Sequence, residues 1–160
     1  MNVLWNEVIS RAESEERTYL MEHECKELLL RAGIPTNSTL VAQSVDEAVK
    51  LSDKIGYPVV LKVLSPEVVH KSDRGGVKLN LKNASEVELA YKEIISAFAD
   101  KKLIGVTVQE MVKPGLEAIV GVSRDPAFGP VLMFGLGGVF VEVLKDVSFK
   151  ILPVTEADIE

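Results

Sequence analysis

LKVLSPEVVHKSDRGGVKLNL, residues 61–81, is the stretch whose reading decides the fold. It opens as an apolar strand carrying one lysine, Lys62, and breaks at Pro66, which cannot donate to a strand ladder. A loop follows with His70, Lys71, Asp73, Arg74 and the pair Gly75-Gly76, and alternation resumes through Val77, Leu79 and Leu81. Lys62, Lys71, Arg74 and Lys78 against Glu67 and Asp73 make the stretch +2 in a chain of net charge −6. Such a loop between two strands suits an anion. Glycines let the backbone approach closely and turn N–H groups outward, and lysines add point charge. The plainer reading is a β-hairpin with a solvated loop. His70 is one of two histidines in the chain; a neutral imidazole at that place is a competent nucleophile.

At 160 residues the chain is long enough for one sizeable core, or for two small lobes. A hydrophobic fraction of 47% and a charged fraction of 26% describe an ordinary soluble globular protein. The acidic balance argues against nucleic acid as a partner, since no basic face exists outside the loop. No apolar run reaches the roughly 20 residues of a membrane span, and the N-terminal residues 1–16 lack a signal peptide's apolar core. One cysteine, Cys25, in a helical pattern gives no disulfide framework, which points to a packing role and a cytoplasmic location.

In chain order, residues 3–31 read as one helix with Leu20, Cys25, Leu28 and Leu29 on its buried face, ended by Gly33-Ile34-Pro35. His23 on it reads as solvated or capping. Residues 39–42 predict a short strand. Ser44 and Glu47 have capping-box spacing and open a helix with Ala48, Val49, Leu51 and Ile55 inward and Gly56 at its end. A third helix is expected from about Ser85 to Lys101, with Val87, Leu89, Ala90, Ile94, Ile95 and Phe98 facing the core. Strands are expected at 105–112, 116–122, 130–134, 139–144 and 148–152, with turns at Pro114-Gly115, Ser123-Arg124-Asp125-Pro126 and Lys145-Asp146. Thr155 caps a helix that has barely begun at Glu160, which leads us to expect a longer natural protein. The order predicts an α+β fold, with helices on one face of mostly antiparallel sheets.

Three segments in order then carry a resemblance: AGIPT (32–36), GYPVVLKVLSPEVVHKSDRGGVKLNL (56–81) and VQEMVKPGLEAIVGVSRDPAFGPVLMFGLGGVFVEVLKDVSF (108–149). From about Glu24 to Pro153 the chain resembles the ATP-grasp β subunits of ADP-forming acetyl-CoA synthetases (acetate–CoA ligases, in the NDP-forming acyl-CoA synthetase family). The resemblance implies an ATP-grasp domain over 1–160. Its N-terminal lobe, carrying the histidine loop, would span about 20–105, and a C-terminal lobe, cut short, would begin near 106.

The resemblance also implies roles. Lys62 would contact the phosphates of ADP or ATP, and Gly75, Gly76 and Val77 would form the loop that covers them. Glu110, Met111 and Val112 would be the hinge that reads adenine, the last two through backbone groups, and Glu117 would reach the ribose. His70 would be the phosphorylatable histidine, receiving its phosphoryl group from an α subunit that holds CoA and acyl phosphate. Ser65-Pro66 and Gly75-Gly76 would be the hinges of its loop. Mg²⁺ would be a cofactor, held by a glutamate and an asparagine beyond residue 160, so its ligands here are unknown; the aspartate steadying the phosphohistidine would lie there too. The loop Gly135-Leu136-Gly137-Gly138 and Glu142 are weaker matches. Two rival readings are a succinyl-CoA synthetase β-like subunit, whose glycine-arginine-glycine loop is a poorer match to HKSDRGG (70–76) here, and a non-catalytic regulatory ATP-grasp module, which would have no need of His70.

Overall fold

The computed structural model describes residues 3–138 and 147–158. They form two compact units, residues 1–112 and 113–160. The first unit contains α1 (Val3–Ser14), α2 (Glu22–Arg31), β1 (Thr39–Ala42), α3 (Val45–Ile55), β2 (Val59–Leu64), β3 (Val77–Leu81), α4 (Ala84–Ala97) and β4 (Gly105–Glu110). Its sheet runs β1-β4-β2-β3 with every neighbour antiparallel. Because β4 pairs with both β1 and β2, it belongs to this unit, and the division falls after Val112 rather than near residue 105.

The single helix expected over 3–31 is two helices. Glu16 lies in the left-handed region at φ 57°, which ends α1. Arg17 then turns inward and donates to both carboxylate oxygens of Glu24, each at 2.8 Å, while the Met21 N–H donates to Glu24 at 2.7 Å. Both charged side chains are almost wholly buried, and a fork-on-carboxylate pair is the geometry that makes such burial tolerable. Glu24 and Leu28 therefore form the buried face of α2, and Leu29, expected inside, is exposed.

The caps of the next two helices are as the sequence predicts, or close to it. Ser44 accepts the Glu47 N–H at 3.2 Å and the Glu47 carboxylate accepts the Gln43 N–H at 2.8 Å. Gly56 ends α3 with φ +92°. α4 starts one residue early behind an Asn83 cap and stops at Ala97. Its inward residues are Val87, Ala90, Ile94 and, just past its end, Phe98, whereas Leu89 is exposed.

On one face of the sheet, Val59, Leu61 and Val63 of β2 and Val106 and Val108 of β4 pack with Ala48 of α3 and with Val87, Ala90 and Ile94 of α4. Fully burying each of the larger apolar side chains contributes about 1.5–3 kcal/mol, so this layer anchors the unit. The alternate residues Lys62, Thr107 and Gln109 point to the other face. There α2 lies over them, bonding through Glu22 and Lys26. Helices thus cover both faces, not one.

The second unit is an antiparallel sheet of β5 (Ala118–Asp125), β6 (Gly129–Leu136) and β7 (Val147–Ile151), with a 3₁₀ turn at Glu156–Asp158. β5 continues through the expected turn at Ser123-Arg124. The chain reverses only after Asp125, whose side chain accepts the N–H groups of Ala127 and Phe128. Thr155 is tied to the turn that follows it, its N–H and hydroxyl both donating to Asp158. The strand expected at 139–144, the turn at Lys145-Asp146 and the candidate Glu142 lie outside the described residues.

Candidate functional site

The register of the first sheet places Lys62 opposite Val77 on one side and Thr107 on the other. Its ammonium group donates to Glu22 of α2 at 2.7 Å. The same carboxylate accepts Lys71 of the histidine loop at 3.0 Å and the Gln109 amide at 3.0 Å. Lys26, one turn along α2, lies 3.3 Å from it. Lys26 also donates to Asn37, Thr39 and Gln109 at 2.7–3.0 Å. Three lysines therefore surround one glutamate, with side chains only 19–25% exposed. Burial alone would raise the Glu22 pKa, but the hydrogen bonds from Lys62, Lys71 and Gln109 outweigh it and hold the carboxyl well below its ordinary value. Burial pushes the Lys26 ammonium down, only partly offset by Glu22. The cluster carries an excess of two positive charges at low exposure, where screening by salt is weak. Such a place favours an incoming oxyanion.

Lys62 and Lys71 are thus brought together. Glu22, Lys26 and Gln109 were missed, because their meeting depends on α2 folding back over the sheet; the one available signal was the i, i+4 spacing of Glu22 and Lys26 on a helix.

The loop between β2 and β3 is fastened at several points. The Tyr19 hydroxyl donates to the Pro66 carbonyl, and the Ser65 hydroxyl accepts the Glu67 N–H at 3.0 Å. Val68 is buried in the main apolar cluster, while Val69 and His70 are exposed. His70 lies along a groove lined by Asp73, Arg74, Phe98 and Lys101. Arg74 stacks over the Phe98 ring at 5.1 Å and donates to Asp100 at 3.0 Å.

The glycines behave differently from the expectation. The Gly75 N–H donates to Ser72 at 3.1 Å and the Gly76 N–H to Lys71 at 2.8 Å, so both close the loop on itself instead of facing outward. Gly76 is nevertheless obligatory here: a Cβ on it would stand 2.5 Å from the Lys71 carbonyl and 2.7 Å from the Val63 side chain. Val77 begins β3, across from Lys62.

Glu110 is exposed, and its carbonyl accepts the Asn37 amide at 3.2 Å. The Met111 N–H donates to Pro58 at 3.2 Å, which leaves its carbonyl and the groups of exposed Val112 for any adenine contact. In the second unit Glu117 is exposed; Gly135 and Leu136, expected in a loop, belong to β6, and only Gly137 and Gly138 after it are built against Glu117. The Gly137 N–H donates to the Glu117 carbonyl at 2.7 Å, and a Cβ on Gly138 would stand 2.7 Å from the Glu117 carboxylate. Two separately named candidates thus form one arrangement, in which Gly138 takes a left-handed φ of +64° and Gly137 packs closely on the Glu117 backbone.

His23, expected to be solvated or capping, is half-buried. Its Nδ1 has no partner among the described residues, and burial lowers its pKa. Cys25 is partly buried with its thiol pKa raised, first by burial, in keeping with a packing role. Among the described residues no group of three or more His, Cys, Asp or Glu could hold a metal ion. The carboxylate nearest Lys62 is already engaged by lysines. Mg²⁺ bound with nucleotide would therefore need oxygen ligands from outside this cluster. No helix among the described residues is long and apolar enough to cross a membrane.

An antiparallel four-stranded sheet with three lysines gathered around Glu22 on one face is followed in the chain by a second small sheet. Residues 11–160 match the family model described as an ATP-grasp domain, and the chain belongs to that family, in the form found in β subunits of ADP-forming acetate–CoA ligases. It is 50% identical over 156 residues to the β subunit of acetate–CoA ligase [ADP-forming] I of Pyrococcus furiosus, covering 95% of this chain and 67% of that one. It superposes at a TM-score of 0.90 and 48% identity on a dinucleotide-forming acetyl-coenzyme A synthetase of Ca. Korarchaeum cryptofilum, in complex with coenzyme A and Ca-AMPCP, covering 96% and 69%. Another structure of that enzyme, with coenzyme A and Mg-AMPPCP, has its phosphohistidine segment pointing towards the nucleotide binding site (TM-score 0.81, 48% identity, 96% and 66% covered). The chain spans about two thirds of the length of these relatives.

Proposed function

We propose that the chain is the nucleotide-binding part of an ADP-forming acyl-CoA synthetase, in which a phosphoryl group on His70 passes to ADP. The observation that carries this reading is the convergence of Lys62, on a rigid central strand, and Lys71, next to His70, on a single half-buried anion position. Lys62 would bind a phosphate of the nucleotide, with Glu110, Met111 and Val112 at adenine and Glu117 at the ribose. Gly75, Gly76 and Val77 would shape the loop over the phosphates. In the transfer step a terminal oxygen of ADP attacks phosphorus, the P–N bond breaks with its electron pair going to nitrogen, and the ring, already protonated on its other nitrogen, leaves as neutral imidazole. Imidazole is both a good nucleophile and a good leaving group, so the carrier can be loaded and emptied. Lysines near the moving phosphate offset its charge in a place where water is partly excluded. The phosphoryl group would originate as an acyl phosphate on a partner α subunit that also holds CoA.

The test uses ATP radiolabelled on its γ-phosphate, with Mg²⁺ and the complete assembled enzyme. An acid-labile, base-stable label on the wild type that disappears in His70→Ala supports the carrier role; a label that survives the substitution refutes it. Lys62→Met should weaken ADP binding at least tenfold by loss of a charge-assisted contact, measured by calorimetry.

A further inference from the structure

The Glu22 carboxylate divides its two oxygens between two systems. Oε1 takes Lys62 at 2.7 Å and Gln109 at 3.0 Å, both on the sheet. Oε2 takes Lys71 at 3.0 Å, on the loop that carries His70. Glu22 also lines a cavity of about 270 Å³ with Tyr19, Ser65, Val68, Val69 and Lys71, directly beneath the loop. A carboxylate bridging two ammonium groups imitates a phosphate oxygen in charge and in hydrogen-bond geometry.

We propose that Glu22 is a positioning residue that couples the phosphate site to the histidine loop: its carboxylate occupies the oxyanion position between Lys62 and Lys71, and a phosphate group that takes this position releases the loop. The inference rests on the reading of Lys62 as a phosphate ligand. A phosphate on Lys62, carrying more charge than the carboxylate, takes that ammonium and repels Glu22, which then leaves Lys71 as well. When Glu22 leaves, the Lys71 fastening goes, and the loop keeps the Tyr19–Pro66 contact, the Lys102 N–H donated to Glu67, the Arg74 contacts with Asp100, Ala97 and Phe98, and the Val68 side chain. Nucleotide arrival and freedom of the His70 segment would thereby be a single event. The ligand class is a phosphoryl oxyanion, whether or not it carries adenosine.

The test is limited trypsin digestion, since the loop contains two cleavage sites, after Lys71 and after Arg74. The probe is inorganic pyrophosphate. Wild type should be cut slowly in the loop without it and about tenfold faster at saturation, the worth of one charge-assisted hydrogen bond. Glu22→Gln, which keeps shape and removes charge, should be cut fast from the start and gain nothing from pyrophosphate, with β2 and β4 intact in both. Unchanged cutting of Glu22→Gln overturns the proposal, as does pyrophosphate that leaves the wild-type loop unchanged or protects it. Should Glu22→Gln lose its fold, the wild-type pyrophosphate series decides alone. If Lys62→Met retains full ADP affinity, the nucleotide reading fails. If Lys62→Met loses that affinity while the loop ignores Glu22→Gln, only the coupling fails.

Discussion

Val68 sets the resting energy of the histidine loop. It is 8% exposed and packs in the same apolar cluster as Val63, Ile94 and Phe98, although its neighbours Val69 and His70 are in solvent. Any movement that carries His70 away must withdraw this side chain. Val68→Ala removes the equivalent of two buried methylene groups, about 0.8 kcal/mol each, so the opened loop gains about 1.6 kcal/mol relative to the docked one. That corresponds to roughly a 15-fold larger opened population. Amide hydrogen exchange measures it directly. The Gly75 and Gly76 N–H groups are bonded inside the loop to Ser72 and Lys71 and report on its opening, and amides of β2 and β4 report on global unfolding. The expected result is about 15-fold faster exchange at Gly75 and Gly76, well above any change in the strands. If all of these amides accelerate by the same factor, Val68 leaves the core only when the unit unfolds, and the loop is no separately mobile element.

Glu24→Ala should cost about 1.5–3 kcal/mol in urea denaturation by removing both fork contacts of buried Arg17, which keeps Glu15 and the Tyr19 carbonyl; a loss below about 1 kcal/mol would show that these partners and water replace the fork. Both Glu22 and Glu24 have folded pKa values below their unfolded value of 4.5, so their contribution is complete above that pH and fades as the pH falls below it. Acid titration of urea midpoints should show this fall, weakened in Glu24→Gln. Gly76→Ala should destabilise the first unit by about 1–3 kcal/mol through its clashes with Lys71 and Val63, whereas Gly115→Ala, in open space, should stay within about 0.5 kcal/mol by thermal melting.

The parts of the fold legible in the sequence are those in which local chemistry decides. Ser44 with Glu47 announces α3, and Gly56 ends it, because a cap satisfies N–H groups within one turn. The β2–loop–β3 hairpin is visible because Pro66 and Gly75-Gly76 interrupt two apolar runs. What failed was decided at a distance. Nothing local stops a helix at Ser14, and the break needs Arg17 to find Glu24 in the tertiary structure. Leu89 fits a helical stripe as well as Val87 does, and only the position of the sheet leaves it in solvent.

The site divides along the same line. Lys62 could be singled out as the one cation in an apolar strand, and His70 as a rare residue in a charged loop. Their environment could not be read, since Glu22 and Lys26, Lys71, and Gln109 come from three separate segments that meet only once α2 crosses the sheet. The consequence reaches the chemistry. A sequence reading supplies the phosphate site with lysines and glycine N–H groups alone, all waiting for an anion. In the folded unit the lysines already have an anion, and the Gly75 and Gly76 N–H groups already have carbonyls. A phosphate bound here, as proposed, would have to displace internal partners. Its affinity would then be the difference between two sets of contacts, and under the proposed coupling the loop's position would follow which set is made.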